Sequence, residues 1–261
     1  MLQQMLIDEL FSLKGEVAVV VGGGGVLAGG MARGFAGAGA DVAVIGRTMP
    51  NLETRVEDIR ALGRRGLAIQ ADAARKADLL RALDTILAEF GKVDILVNAA
   101  GINSATPFFD IEESEWEKIL DVNLRSVFVA CQVFGKKMVD ARSGSIINVS
   151  SASAGPPLSK VFTYGVTKGG VNQITQFLAR EFAPHNVRVN AILPGFFPAE
   201  QNRKILTEER VQQIMNHTPM RRFGDPSELV GAAVFLASEK ASSFVTGTIL
   251  RVDGGFLSMT I

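Results

Sequence analysis

Tyr164 and Lys168 stand four residues apart in Phe162-Thr-Tyr-Gly-Val-Thr-Lys168, at the start of a segment with helical spacing. On a helix that interval puts both side chains on one face, about 6 Å apart along the axis. A free phenol titrates at about 10, too high for a base at neutral pH. A cation about 4 Å away is worth up to about 4 kcal/mol at a surface-like dielectric, enough to lower that value by several units. The pair is therefore a candidate general acid and base. A partly buried tyrosine beside a solvated lysine has the same spacing, so the pair needs company. Ser151 supplies it, at the end of the apolar run Ser145-Ile-Ile-Asn-Val149, where a hydroxyl can hydrogen-bond a developing alkoxide. Asn98-Ala-Ala-Gly101 lies near another strand end, and Asn123 falls within the helix that follows.

A second constellation suits phosphate. Val17-Ala-Val-Val-Val21 runs into Gly22-Gly-Gly-Gly25, and a helix begins at Val26-Leu27. A strand, a glycine turn and a helix N-terminus aim backbone N–H groups and the positive end of the helix dipole at one point. Gly22, Gly24 and Gly25 let the chain approach a pyrophosphate with no Cβ between. Any tight strand-to-helix turn can use glycines, and it is the position after the first strand that favours a nucleotide. After the second strand comes Gly46-Arg47-Thr48, where an acidic residue usually holds a ribose 2′-hydroxyl. Arg47 can pair with a 2′-phosphate instead, which favours NADP(H) and leaves NAD(H) possible. A solvated arginine at a helix start is the equally open alternative.

These groups need a frame that gathers strand ends. Short apolar runs recur at Glu16–Val21, Val42–Ile45, Leu67–Gln70, Val93–Val97, Ser145–Val149, Val187–Ile192 and Thr248–Val252, and all but the last pair are separated by helical segments. Continuous apolar strands alternating with helices predict a parallel sheet covered on both faces. Right-handed crossovers then give a single doubly wound, seven-stranded Rossmann domain over 1–261. Such a sheet collects ligand-facing groups at the carboxyl ends of its strands, where Ser151 and Tyr164 converge. The stretch from about 195 to 222 breaks the alternation and has the composition of a lid over a site.

Composition narrows the function classes. A chain of 261 residues with 47% apolar and 21% charged residues has the balance of a soluble globule. Its 27 basic and 27 acidic residues cancel, so the electrostatic footprint of a nucleic-acid or anionic-membrane binder is missing. The one cysteine, Cys131, cannot form an internal disulfide, and its apolar surroundings suggest a buried thiol in a reducing compartment, the cytoplasm. Met1–Leu10 carries Asp8 and Glu9 and lacks a signal-peptide pattern, and Val17–Ile45 is broken by glycines, Arg33 and Asp41, so no membrane span is expected. Two distant histidines and one cysteine give no metal cluster.

Taken together, Phe11-Ser-Leu-Lys-Gly-Glu-Val-Ala-Val-Val-Val-Gly, Asn98-Ala-Ala-Gly101, Asn123, Ser151, Tyr164-x-x-x-Lys168, Pro194-Gly195 and Asp253-Gly-Gly255 resemble the short-chain dehydrogenase/reductase family over essentially the whole chain. The resemblance implies an NAD(P)-dependent oxidoreductase acting on a small carbonyl/alcohol pair, with a tetrad of Asn123, Ser151, Tyr164 and Lys168. In it Tyr164 is the acid/base and Ser151 polarises the carbonyl. Lys168 lowers the tyrosine pKa and binds the nicotinamide ribose, and Asn123 holds a water that links Lys168 to solvent. The cofactor residues it implies are the glycine turn with Val26 and Leu27, Arg47, Thr48, Asp72, Ala73, Asn98, Ala99, Gly101, Tyr164, Lys168, Pro194, Gly195 and Phe197. Asp72 matches the adenine contact, and it could equally cap the helix that follows. The family's Thr-Gly-x-x-x-Gly-x-Gly turn is altered, with Val21, Gly22, Val26 and Ala28 in its fixed places, and Ala199 replaces the threonine after Pro-Gly. The helices over Glu115–Met138 and Phe162–Phe182 match a four-helix dimer contact, and the family pattern implies a homotetramer.

Pro194–Arg203, His217–Gly224 and Val26-Leu27 are similar to the D-mannonate oxidoreductase (fructuronate reductase) branch, which implies a sugar acid as substrate. Reductases of gluconate-type acids and of 3-oxoacyl carrier-protein thioesters share the other motifs, and the balanced charge weighs mildly against carrier-protein docking. A non-catalytic protein that senses NAD(P) is the alternative of another class, favoured by the altered turn and opposed by the intact tetrad. A substrate carboxylate needs a partner once buried. Ser153, Lys160 and Arg203 are the candidate substrate contacts, though Lys160 and Arg203 have the same appearance as solvated surface charges.

Overall fold

The computed structural model describes residues 7–197 and 207–259. Seven parallel strands form one sheet in the order β3-β2-β1-β4-β5-β6-β7. They are β1 (Val17–Val21), β2 (Asp41–Gly46), β3 (Gly66–Gln70), β4 (Ile95–Asn98), β5 (Gly144–Val149), β6 (Val187–Pro194) and β7 (Ile249–Val252). Each expected run carries a strand, with ends shifted by a residue or two. β4 starts two residues late and ends one residue later than expected, and β6 continues two residues further, to Pro194, where the edge strand β7 pairs with it, Pro194 opposite Val252.

The helices are α1 (Ile7–Leu10), α2 (Val26–Gly37), α3 (Met49–Ala61), α4 (Lys76–Phe90), α5 (Glu113–Leu120), α6 (Ser126–Ala141), α7 (Phe162–Phe182), α8 (Glu208–His217), α9 (Val230–Ala237) and α10 (Glu239–Ser242). Alternate residues of each strand face opposite apolar layers, as a two-residue period requires. In β1, Ala18 and Val20 join the layer built with Met31, Phe35, Leu52, Ile59 and Leu236 from α2, α3 and α9. Val17, Val19 and Val21 join the other, with Leu79, Ile86, Phe134 and Val171 from α4, α6 and α7. This double burial is why β1 is apolar at all five positions. Phe35 and Phe134 are fully buried, and each contributes roughly 1.5–3 kcal/mol through area removed from water.

Strand order reverses at β1, which lies between β2 and β4, so a crevice opens at the carboxyl ends of these three strands. One local feature departs from the expected continuous helix over Glu115–Met138. α5 and α6 are joined by a π-helical turn at Asp121–Arg125, and that turn carries Asn123. An extra residue in a turn redirects a side chain and is found often at functional sites.

Candidate active site

The crevice is a cleft of about 270 Å³ lined by Gly22, Gly24, Gly25, Gly46, Arg47, Thr48, Asp72, Ala73, Ala99 and Gly101 among others. Gly22 sits at φ +81°, and a Cβ there would lie 2.6 Å from the Ala100 backbone nitrogen. Only glycine closes β1 against the end of β4 in this way. The turn is tied back by Gly22 N–H and Gly23 N–H, which both donate to the Ile45 carbonyl at 2.8 and 3.1 Å. Gly25 caps α2 with no side-chain hydrogen bond, leaving first-turn N–H groups for an anionic ligand. The lining suits a dinucleotide: small residues on the walls, unclaimed amide donors at one end, and the Asp72 carboxylate and Arg47 guanidinium along one side.

Arg47 is exposed and forms no ion pair among the described residues. Thr48 caps α3 without using its hydroxyl. Asp72 is not a helix cap. Its Oδ1 accepts from Ala74 N–H at 3.0 Å, and α4 begins three residues later than that alternative requires, with Arg75 at the cap position. The Asp72 N–H is bound instead by the Asp78 carboxylate at 3.1 Å, an acid in the first turn of α4.

Asn98 corrects the expected cofactor set. Its side chain is buried at the end of β4 and donates to Asn148 Oδ1 at 2.9 Å and to the Cys131 sulfur at 3.4 Å. Asn148 in turn donates to Thr175 at 2.9 Å. The amide therefore ties β4 to β5, α6 and α7 and does not line the cleft. Cys131 is buried as expected, and burial pushes its thiol up to about 12, far from a nucleophile's range. Val26 is exposed, while the Leu27 side chain is half-buried against the α2–α3 apolar layer, so at both positions it is the backbone N–H of the first turn of α2 that is left for a ligand. Gly195 N–H donates to the Val252 carbonyl at 3.0 Å, and Phe197 covers Gly224 so closely that a Cβ there would lie 2.2 Å from the ring. Pro194, Gly195 and Phe197 are thus held as β6 leaves the sheet. Ala199 and Arg203 lie outside the described residues.

The other constellation converges beyond Gly101. Lys168 is buried on α7, and its ammonium donates to the Val149 carbonyl at the end of β5, 2.7 Å away. Its Nζ lies 5.5 Å from the centre of the Tyr164 ring. A Cβ at Gly101 would sit 3.6 Å from Asn123 Oδ1 and 3.8 Å from Lys168 Nζ, so those two groups face the same small space. The Ser151 hydroxyl accepts from Ser153 N–H at 3.2 Å and hydrogen-bonds the Tyr164 side chain. Ser153 is half-buried beside it.

Two features differ from what spacing suggests. Burial pushes the Tyr164 phenol above its ordinary value, partly offset by the Ser151 hydroxyl. Burial also lowers Lys168 to about 8. The four-residue interval fixes the face both residues share, and leaves open where the lysine's flexible stem ends. The Val149 carbonyl captures the ammonium, so desolvation dominates the phenol. Asn123, fully buried, clamps both backbone groups of Ile102 at 2.8 Å and donates to Thr167 at 3.2 Å. Only one lone pair of its Oδ1 is left for a water. No sequence pattern marks this clamp, because its partners are a backbone and a helix far away in the chain. Asn51, Ala100, Val122 and Ser126 also line the cleft, and none of them carries a motif that marks it in the sequence. Asn51 lies four residues after Arg47, on the first turn of α3, which was the available signal.

No group of three His, Cys, Asp or Glu side chains able to hold a metal occurs among the described residues. No helix among them is long and apolar enough to cross a membrane.

A family model described as enoyl-(acyl carrier protein) reductase matches residues 25–257. The chain is 39% identical to the 2-dehydro-3-deoxy-D-gluconate 5-dehydrogenase of Escherichia coli (strain K12), over 97% of this chain and 100% of that one. A gluconate 5-dehydrogenase from Burkholderia cenocepacia J2315, solved with NADP and tartrate, superposes with a TM-score of 0.92 at 33% identity, covering 97% of this chain and 100% of that one. A Haemophilus influenza protein provisionally named D-mannonate oxidoreductase, solved with NAD, gives a TM-score of 0.92 at 32% identity, over 97% and 99% of the two chains.

Proposed function

The chain belongs to the short-chain dehydrogenase/reductase family and is an NAD(P)-dependent oxidoreductase, and from that premise we propose that it interconverts a keto sugar acid and its hydroxy acid. What carries the reading is the meeting of Ser151, Tyr164, Lys168 and Asn123 at the ends of β4 and β5, in a chain whose similar proteins are named for gluconate and mannonate chemistry. The family model's name points to acyl carrier protein instead. The matches over 97% of the chain are more specific to it than a model shared by a broad family, and they favour the sugar acid. Catalytic use of the site leaves the sensor alternative without support.

The cleft residues Gly22, Gly24, Gly25, Arg47 and Asp72 would hold a nicotinamide dinucleotide, which when bound would supply or accept the hydride. On reduction the Tyr164 phenol gives its proton to the carbonyl oxygen, and on oxidation it takes the proton back. The Ser151 hydroxyl accepts from Ser153 N–H, and its one hydrogen, directed to the Tyr164 oxygen in the free site, can turn to the carbonyl oxygen as charge develops there. Lys168, with a value of about 8, is cationic at neutral pH and favours the phenolate form of its neighbour. Asn123 acts by position. It fixes the Gly101–Ile102 segment against α7 and points its remaining lone pair toward the space beside Lys168.

The test is nicotinamide oxidation over a panel of keto acids, including D-fructuronate and 5-keto-D-gluconate, run with NADPH and NADH. Turnover of at least one acid well above uncharged ketones is expected, with NADPH preferred because Arg47 faces the cleft without a carboxylate partner. In Arg47→Ala, NADPH binding should weaken by about 1–3 kcal/mol, the scale of a charge-assisted bond, with NADH little changed. Equal losses for both cofactors would remove Arg47 from the 2′-phosphate, and no activity on any acid would overturn the substrate class.

The assembly we propose is a homotetramer in the cytoplasm. Phe128, Phe177 and Val166 are exposed on α6 and α7 at 50%, 61% and 44%. Beside them runs a mainly apolar groove lined by Leu120, Leu124, Phe128, Gly170 and Ile174, with the Asp121–Arg125 ion pair at its side. A face this apolar is covered in a stable protein, and a second copy of the same helix pair is the complementary surface. Phe244, fully exposed after α10, suits a second contact that pairs the dimers. Light scattering at micromolar concentration should give four chains, and a monodisperse monomer would refute the assembly.

A further inference from the structure

Arg210, on α8, reaches across to the loop between Ser151 and Tyr164. Its Nη1 donates to Ser159 Oγ at 2.9 Å and to Gln213 Oε1 at 3.3 Å, and its Nη2 meets the Ser159 carbonyl at 3.5 Å. All three acceptors are neutral. A guanidinium has five N–H donors in a fixed fork, so Nε–H and one Nη2–H donate to no described residue. These two form the edge that grips a carboxylate bidentately. The neighbouring acid on the same helix, Glu209, accepts from Gln213 Nε2 at 3.3 Å and makes no ion pair with Arg210. Lys160 follows Ser159 directly, is exposed, and holds the left-handed conformation at φ +64°. That conformation costs a non-glycine residue about 1 kcal/mol or more and turns the chain sharply beside the arginine. Neither cation has a carboxylate within 4.0 Å among the described residues.

The position of this pair follows from the small apolar cluster beneath it. Ala152, next to Ser151, packs with Leu158, Leu193, Phe196 and Phe256. His217, at the far end of α8, lies 4.6 Å from the Phe256 ring. α8 therefore lies along the loop that begins at the Ser151 hydroxyl and ends at α7 with Tyr164, anchored at one end by His217 and at the other by Arg210.

We propose that Arg210 is the carboxylate-recognising residue of the substrate site, with Lys160 as the second cation. This rests on the sugar-acid reading above and adds a specificity residue that the sequence did not disclose. The spare edge of the guanidinium takes the acid group, and the other edge rests on the Ser159 carbonyl and Gln213 as well as the Ser159 hydroxyl, so the fork keeps its orientation when the hydroxyl alone is removed.

Calorimetry of D-gluconate with the NADP⁺-saturated enzyme tests it, using Arg210→Gln and Ser159→Ala. Arg210→Gln keeps an amide donor for Ser159 and removes the charge, and gluconate affinity should fall about 10–100-fold, the range of a bond to a charged group. Ser159→Ala keeps the charge and should change affinity less than about 3-fold, because neutral contacts are worth less than a charge-assisted pair. NADPH affinity, read by its fluorescence, should be the same in all three proteins. Equal losses in the two variants would make Arg210 a strut and overturn the assignment, as would unchanged affinity in Arg210→Gln or no gluconate binding by the wild type. Arg210-dependent binding in an enzyme that reduces no keto acid would sink the proposed reaction and leave the anchor standing. Reduction of keto acids unimpaired by Arg210→Gln would do the reverse.

Discussion

Tyr164→Phe keeps cofactor binding and loses about 10²–10⁴-fold or more in turnover, the usual scale for acid–base catalysis. The substitution removes one oxygen from a buried site and leaves the ring against Lys168. Neither histidine can take over the proton. His217 is committed to the Phe256 ring, and His185 lies at the end of α7 opposite from Tyr164. Steady-state turnover and NADPH fluorescence titration measure the two quantities separately, and near-wild-type turnover would remove Tyr164 from the mechanism. Because Tyr164 is the only tyrosine in the chain, its ionisation is also directly visible as phenolate absorbance. The transition in the free protein should come above that of a free phenol, since burial raises it. A transition near neutral pH would mean that the ammonium outweighs burial after all.

Lys168→Met should lose activity on a similar scale and gain stability. Burial holds the Lys168 ammonium at about 8 against an ordinary 10.5, a gap worth about 3 kcal/mol. Its sign is destabilising at neutral pH. Between about 8 and 10.5 the unfolded chain keeps the proton and the folded chain has released it, so stability rises with pH through that window. Below about 8 both states are protonated and the full penalty stands. Methionine removes the penalty and also leaves the Val149 carbonyl without its 2.7 Å donor. A missing partner costs about 1–2 kcal/mol, so the net gain at pH 7 should be about 1–2 kcal/mol. Denaturant melts at pH 7 and pH 10 test this. The variant should be the more stable at pH 7, and its advantage should shrink at pH 10. A variant less stable than wild type at pH 7 would show that the buried ammonium contributes more through its hydrogen bond than it costs in desolvation. A group kept charged at such expense is one that activity requires.

The two sugar-acid predictions and the assembly prediction divide along the same line as the fold itself. What the sequence determined alone was local or periodic. Five consecutive apolar residues in β1 could only be a strand buried on both faces, and the alternation of such runs with helices required a parallel sheet. The four-residue step from Tyr164 to Lys168 put both on one helical face, and α7 spans Phe162–Phe182 as the pattern predicted. Gly22 had to be glycine in a turn that passes against Ala100. Tertiary structure decided where long side chains end and which polar groups find each other, because those partners are far apart in the chain. Asn98 looks like a cofactor contact in sequence, and in the folded chain it is spent on Asn148, 50 residues away. Asp72 resembles a cap, and Asp78 reaches back to its N–H instead. No periodicity announces the π turn that seats Asn123, which shows only in the folded chain. Arg210 sits on a polar helix like any solvated charge, and only Ser159, 51 residues upstream, shows where its fork is held. Spacing determines which face a residue occupies. Desolvation and distant hydrogen-bond partners determine its protonation and its role, and these exist only once the chain has folded.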